Sequence, residues 1–283
     1  SLLTTAAAAQ TAPTAWPARP ITFLVPFAAG GPSDALARVL ARGLAAELGQ
    51  QVVIENKGGM GGLVGVTALA KAPPDGYTIG MNATGPTAIA PFMVPNMPVE
   101  DKDLALLTPI ALVQMVIGVS PRLPVGSVAD LIAYAKANPG KVSYASTGLG
   151  STNQLAAEFL AAESGGLKFI HVPYRGGAPA IADVAAGNCD MFFANVSEIM
   201  GMVNGGKVRA LALAANKPSP LAPGMSPVSD VVPGFDMPVR VTLDWPAMTL
   251  IHPTTAWQTA AVKLGNPGDF RVDVGNAAQD ELR

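Results

Sequence analysis

Three short turns carry residue types suited to holding an anion. They are Phe27-Ala28-Ala29-Gly30-Gly31-Pro32-Ser33, Ser146-Thr147-Gly148-Leu149-Gly150-Ser151-Thr152 and Tyr174-Arg175-Gly176-Gly177-Ala178. Glycine lets backbone N–H groups approach a ligand closely, and the Ser and Thr hydroxyls add further donors. Each turn also stands where an apolar strand gives way to a helix. A helix start leaves its first N–H groups unpaired and carries partial positive charge, so it suits a carboxylate without a buried Lys or Arg. One hydrogen bond to an ionised group contributes ~1.5–3 kcal/mol, so several converging donors suffice. A single turn of this kind is equally well an ordinary βα connection with an N-cap. Three of them in one chain favour a binding role.

Other chemistry fails on spacing. Gly148 and Gly150 are followed by Asn153, which breaks the G-x-G-x-x-G offsets, and no Walker lysine follows a glycine-rich loop. The two histidines, His171 and His252, lie far apart with no Cys or carboxylate cluster at ligand spacing, so neither a metal site nor a cofactor is expected. There is no G-x-S-x-G elbow, and neither histidine has an evident nucleophile. Asp183 and Asp190 read as a solvated helix position and a strand-entry residue. Cys189 is alone, which excludes an internal disulfide, and reads as a small buried residue before a strand. The competing function class is an α/β enzyme acting on a carboxylate, with Ser146, Thr147 or Ser151 as nucleophile; it lacks a base nearby in sequence.

The elements that must position these turns alternate strand and helix. Strands are expected at Ile21 to Pro26, Val52 to Ile54 and Tyr77 to Met81. Ser33-Asp34 should open a helix that stops at Gly49. The Gly-rich loop Gly58 to Gly62 leads into a short helix through Ala70, and Pro73-Pro74-Asp75-Gly76 is a turn. An apolar strand from Ile110 to Val119 leads away from this unit. Ser127 to Asp130 resembles a capping box. A second βα series follows, with strands Val142 to Tyr144, Phe169 to Val172, Met191 to Ala194 and Val208 to Ala214. Its helices begin near Ser151, Gly177 and Val196. Pro218 to Pro238 is a Pro-rich return, with a strand from Trp245 and a helix from about Thr254. Such alternation implies parallel sheets covered by helices, and ligands in such sheets bind beyond the strand C-termini.

The 283 residues suit two lobes better than one core. Only 13% of them are charged, and the net charge of −2 is spread along the chain, with no basic stripe for nucleic acid. Ser1 to Gln10 reads as the tail of a secretory leader with an Ala-x-Ala site, so export to the periplasm as a soluble protein is expected. Beyond it no stretch reaches the roughly 18 apolar residues of a membrane span.

The same turns lie within a set of motifs that resembles a known family. WPARPITFLVPFAAGGPSD (Trp16 to Asp34), VIENKGGMGG (Val53 to Gly62), PDGYT (Pro74 to Thr78), ANPGK (Ala137 to Lys141), GLGS (Gly148 to Ser151), VPYRGG (Val172 to Gly177) and GKVRAL (Gly206 to Leu211) follow one another in order. Together they resemble the receptors of tripartite tricarboxylate transporters, the Bug family of periplasmic binding proteins. Between Asn216 and Gly234 the Pro-rich character persists without the family's Arg and Pro-Thr-x-x-Glu stretch, and after Lys263 the familiar closing helices are absent.

The resemblance implies a two-lobed type II periplasmic binding fold, each lobe a mainly parallel sheet flanked by helices. Residues 1–16 are a leader remnant, 17–112 with 238–283 one lobe, and 113–237 the other. It also implies a monomeric receptor with no chemical step, which captures a small carboxylate and delivers it to membrane permease subunits. A signalling partner is compatible with the same fold. The acid could be a di- or tricarboxylate, an acidic amino acid or an aromatic acid. The resemblance places its carboxylate between Phe27, Ala28, Ala29 and Gly30 on one side and Ser146, Thr147, Gly148, Ser151 and Thr152 on the other. Asn82, Thr84, Gly85, Tyr174, Arg175 and Gly176 complete the expected pocket.

Overall fold

The computed structural model describes residues 16–237 and 239–246. In chain order the strands are β1 (Ile21–Val25), β2 (Val52–Asn56), β3 (Thr78–Ala83), β4 (Leu104–Val113), β5 (Met115–Val119), β6 (Val142–Ser146), β7 (Phe169–Pro173), β8 (Met191–Asn195), β9 (Arg209–Leu213) and β10 (Val239–Pro246). They form two five-stranded sheets among the described residues, ordered β2-β1-β3-β10-β4 and β7-β6-β8-β5-β9. In each sheet the first three strands are parallel, and the fourth runs against its neighbours. Those two reversed strands, β5 and β10, are the ones that arrive from the other sheet.

The single strand expected from Ile110 to Val119 is two strands. β4 ends at Val113 in the first sheet and β5 begins at Met115 in the second, with Gln114 between them. The return path runs beside it: the Met237 N–H donates to the Ala214 carbonyl at 3.2 Å, and Val239 pairs with Val113. The strand expected from Trp245 instead starts at Val239. The expected helix from Thr254, the closing segment after Lys263 and the leader up to residue 15 lie outside the described residues.

Period-two alternation builds the second sheet's two cores. Met115, Ile117 and Val119 of β5 face one core with Met191 and Phe193 of β8; Val116, Phe192 and Ala194 face the other. The Pro-rich return covers the first of these, with Phe235 fully buried and stacked on Phe159 at 5.0 Å. In the first sheet, Ile21, Phe23 and Val25 pack with Ile79, Met81 and Leu243. Cys189 is buried, and burial pushes its thiol above its ordinary range.

The helices are α1 (Pro32–Leu48), α2 (Leu63–Ala70), α3 (Ala90–Met93), α4 (Val128–Ala137), α5 (Thr152–Glu163), α6 (Gly177–Ala186) and α7 (Val196–Asn204). α1 starts at Pro32 with Gly31 as N-cap, so Asp34 is its third residue, not its opening one. Gly49 ends it at φ 65°. Ser127 caps α4 by accepting the Asp130 N–H, while Asp130 reaches back to the Gly126 N–H and not to Ser127. Among the described residues no helix is long and apolar enough to cross a membrane.

Candidate anion-binding cleft

The C-terminal ends of β1, β6, β7 and β8 turn into α1, α5, α6 and α7 around one cleft of about 820 Å³. Its wall includes Gly31 and Ser33 at the start of α1, Ser151 and Thr152 at α5, Gly176 and Gly177 at α6, and Asn195 and Ser197 at α7. The first N–H groups of a helix have no intrahelical acceptor, so four positive helix ends open on one volume. No Lys or Arg lines it among the described residues; Glu198 is its single ionisable side chain.

The first turn is held in shape by a buried carboxylate. Asp34 accepts the Gly30 N–H at 3.0 Å, the Arg38 Nε at 2.9 Å and the Asn56 Nδ2 at 3.1 Å. Asn56 Nδ2 also donates to the Phe27 carbonyl at 3.1 Å. The Arg38 guanidinium, more than any other neighbour, holds the Asp34 carboxyl below the usual range, with burial opposing it. On the other side, Ser151 Oγ caps α5 by accepting the Gln154 N–H at 3.3 Å, and Thr147 Oγ1 donates to Asn153 Oδ1 at 2.8 Å.

Backbone from the two sheets meets across the cleft mouth. The Gly61 N–H donates to the Thr147 carbonyl at 3.1 Å. A Cβ on Gly148 would lie 2.6 Å from the Gly61 nitrogen, and one on Gly58 3.2 Å from the Arg175 carbonyl oxygen. The approach at Gly148 leaves no room for a side chain and that at Gly58 is tight, so the Gly58 to Gly62 loop packs directly against the second sheet's turns.

Of the residues singled out from sequence, Phe27, Ala28, Ala29, Gly30, Gly85, Thr147, Ser151, Thr152 and Gly176 line the cleft. The others stand off its wall. Asn82 is fully buried and donates to Asp244 Oδ2 at 2.7 Å. Thr84 precedes the turn that reaches the wall at Gly85. Ser146 is fully buried, Gly148 packs on Gly61, Tyr174 donates its phenol to Asp183 Oδ2 at 2.8 Å, and Arg175 points outward, exposed. Asp183 is therefore a hydrogen-bond partner and not a freely solvated position. Asp190 likewise accepts both the Ser143 N–H and its hydroxyl at 2.7 Å.

Gln114, Asn195 and Glu198 are among the lining residues that sequence reasoning missed. Gln114, at the crossing between the sheets, lines the cleft, and its buried Oε1, an acceptor, has no hydrogen-bond partner. Asn195 and Glu198 sit at the cap and third position of α7. The Asn195 N–H donates to Glu198 Oε2 at 3.3 Å, a capping box that an Asn-x-x-Glu spacing signals in sequence. Burial pushes the Glu198 carboxyl up to about 7, against the pull of Asn195.

The expectation that no histidine has a nucleophile beside it is overturned. The parallel pairing of β6 with β7 sets Ser146 Oγ 2.5 Å from His171 Nε2. The imidazole stacks on Tyr144 at 4.9 Å, and burial lowers its pKa. Neither residue lines the cleft.

The family model described as tripartite tricarboxylate transporter family receptor matches residues 36–261. A Pseudomonas sp. (strain P51) relative, described as a UPF0065 protein in the tcbD-tcbE intergenic region, is 38% identical over 79% of this chain and 67% of its own length. BugT of Bordetella pertussis is 34% identical over 81% of this chain and 71% of its own. The chain thus spans about two thirds of the curated relatives it matches. The solved structure of R. palustris Rpa4515 with adipate is 32% identical, superposes with a TM-score of 0.83, and is matched over 90% of this chain and 86% of that one.

Proposed function

Because this chain belongs to the tripartite tricarboxylate transporter receptor family, of two-lobed periplasmic binding proteins, we propose that it captures a small carboxylate in the cleft and hands it to membrane permease subunits. One observation carries the reading. Four helix starts, drawn from both sheets, converge on a volume that no Lys or Arg lines among the described residues. An anion there is held by N–H and O–H donors, as a helix N-terminus permits. The R. palustris structure contains adipate, a carboxylate, which supports the same chemistry here.

Among the described residues the lobes are 17–113 with 239–246, and 115–237, hinged at Gln114 and between Met237 and Val239. The protein acts as an exported, soluble, monomeric receptor. The candidate contacts are the cleft-lining members of the three turns, with Gln114 and Asn195 added. Ser146 and His171 form the one arrangement that favours an enzyme, a hydroxyl beside an imidazole. Because the pair is sealed off the cleft wall, it serves to lock β6 to β7.

The test is ligand charge. A thermal-shift screen with a carboxylate panel identifies a binder, since a ligand of the native state raises stability by RT ln(1 + [L]/Kd). Calorimetry with that acid and its methyl ester should then show binding by the acid and loss of at least about 100-fold for the ester, the worth of one or two charge-assisted bonds. Equal affinities would remove the anion-site reading.

A further inference from the structure

We propose that Glu198 shares a proton with the bound acid: in the loaded cleft its protonated carboxyl donates to the ligand's carboxylate, so capture takes up a proton. The inference rests on the carboxylate-receptor reading and deepens it.

Placement is the first argument. A Cβ on Gly177 would lie 2.8 Å from Glu198 Cδ and 3.0 Å from Oε2, and one on Gly31 would lie 3.9 Å from Oε1. The carboxyl therefore stands at the starts of α6 and α1 together, one from each sheet. These are two of the four helix starts that offer N–H groups to an anion in the cleft. A carboxylate gripped by both must lie against Glu198. Oε2 accepts the Asn195 N–H at 3.3 Å, which leaves Oε1 as the oxygen facing both glycines.

Charge is the second. Two ionised carboxyls at one site repel, and the pair is relieved by keeping one proton between them. A Lys or Arg would offset the repulsion, but none lines the cleft among the described residues. The packed elements supply no substitute. β5 and β8 carry no titratable residue, and Glu198 is the only one on α7. On α6 the only one is Asp183, farther along the helix, where it accepts the Tyr174 phenol. On α1, Asp34 and Arg38 pair with each other, and Arg42 and Glu47 lie farther from its start. Arg175, before α6, is exposed.

Hydrogen-bond polarity is the third. An ionised Glu198 offers a ligand carboxylate only acceptors, whereas protonation turns Oε1 into a donor aimed between the two helix starts. Burial already favours that form. It pushes the Glu198 carboxyl up to about 7, and a carboxylate bound beside it raises the value further. Affinity is therefore fully present below about pH 7 and is lost as pH rises above it.

The probe is the tightest binder among adipate, malate, glutamate and benzoate, measured by calorimetry on the full chain. A further rise of one to about one and a half pH units in Glu198 weakens wild-type binding about tenfold between about pH 6.5 and about pH 8.5. Glu198→Gln keeps the shape and the capping acceptor, and its amide N–H donates at every pH. Its affinity should stay within about twofold over the same range and exceed that of wild type about tenfold at about pH 8.5. A second measurement needs no variant. Heats compared in phosphate and in Tris buffer at about pH 7.5 should show at least about half a proton taken up per acid bound. Wild-type binding without pH dependence or proton uptake overturns the assignment of Glu198 alone, as does the same pH dependence in Glu198→Gln. No binding by any of the four acids, or equal binding of the probe and its methyl ester, would instead overturn the carboxylate-receptor reading, and this assignment with it.

Discussion

Gly148→Val is expected to abolish carboxylate binding while leaving the far-UV dichroism unchanged. Gly148 has φ 121°, a region a β-branched residue enters only with strain. Its added Cβ would meet the Gly61 nitrogen at 2.6 Å and Met60 Cα at 3.1 Å, both on the opposite side of the cleft mouth. The collision is with backbone and cannot be relieved by a side-chain rotation. It is relieved by keeping the sheets apart, which also breaks the Gly61 to Thr147 hydrogen bond. If closure supplies the second set of donors, affinity should fall at least about 100-fold, or about 3 kcal/mol. Gly166→Val separates strain from collision, since Gly166 has φ 78° but nothing within 4 Å of an added Cβ. That variant should bind normally. Calorimetry on both variants decides it; undiminished binding by Gly148→Val would make the Gly61 contact incidental to function.

Asp34→Ala is expected to cost both stability and binding. The carboxylate is 4% exposed and accepts from Gly30, Asn56 and Arg38. Its removal orphans the Gly30 N–H and one Asn56 hydrogen bond, at about 1–3 kcal/mol in all. Arg38 is half exposed and adds little of its own. The sign with pH follows from the lowered carboxyl. Asp34 contributes its stability above the unfolded value near 3.8 and loses it as pH falls through its lower folded value. Urea titrations should therefore show a wild-type advantage at neutral pH that narrows in strong acid. A variant as stable as wild type at pH 7 would mean that the turn needs no anchor.

The βα order and the turns that line the cleft were legible because their signals are local. A strand that ends in glycine and then opens a helix is written in consecutive residues, as at Ser146 to Thr152. What depends on pairing between distant strands was not legible. The apolar run from Ile110 to Val119 conceals a change of sheet, and Gln114 is its single polar mark. Ser146 and His171 meet only through the register of β6 against β7. Asn82 stood at the right strand end, yet its side chain turns into the sheet towards Asp244, 162 positions away. Glu198 had a capping signature, but that its carboxyl faces the cleft follows from how α7 docks beside α6. Gly30 and Gly148 look alike in sequence; an added Cβ meets open space at the first and backbone at the second.

Small-angle scattering of the full chain, with and without a saturating acid, tests the central claim most directly. Donors from both sheets favour the closed form by their differential affinity for it. Two or three charge-assisted bonds made only on closure supply the ~5.5 kcal/mol that moves a population from 1:99 to 99:1. The account expects a smaller radius of gyration with the acid bound, and no change with its methyl ester. A scattering curve unaltered at an acid concentration that calorimetry shows to be saturating would contradict a ligand gripped between two lobes.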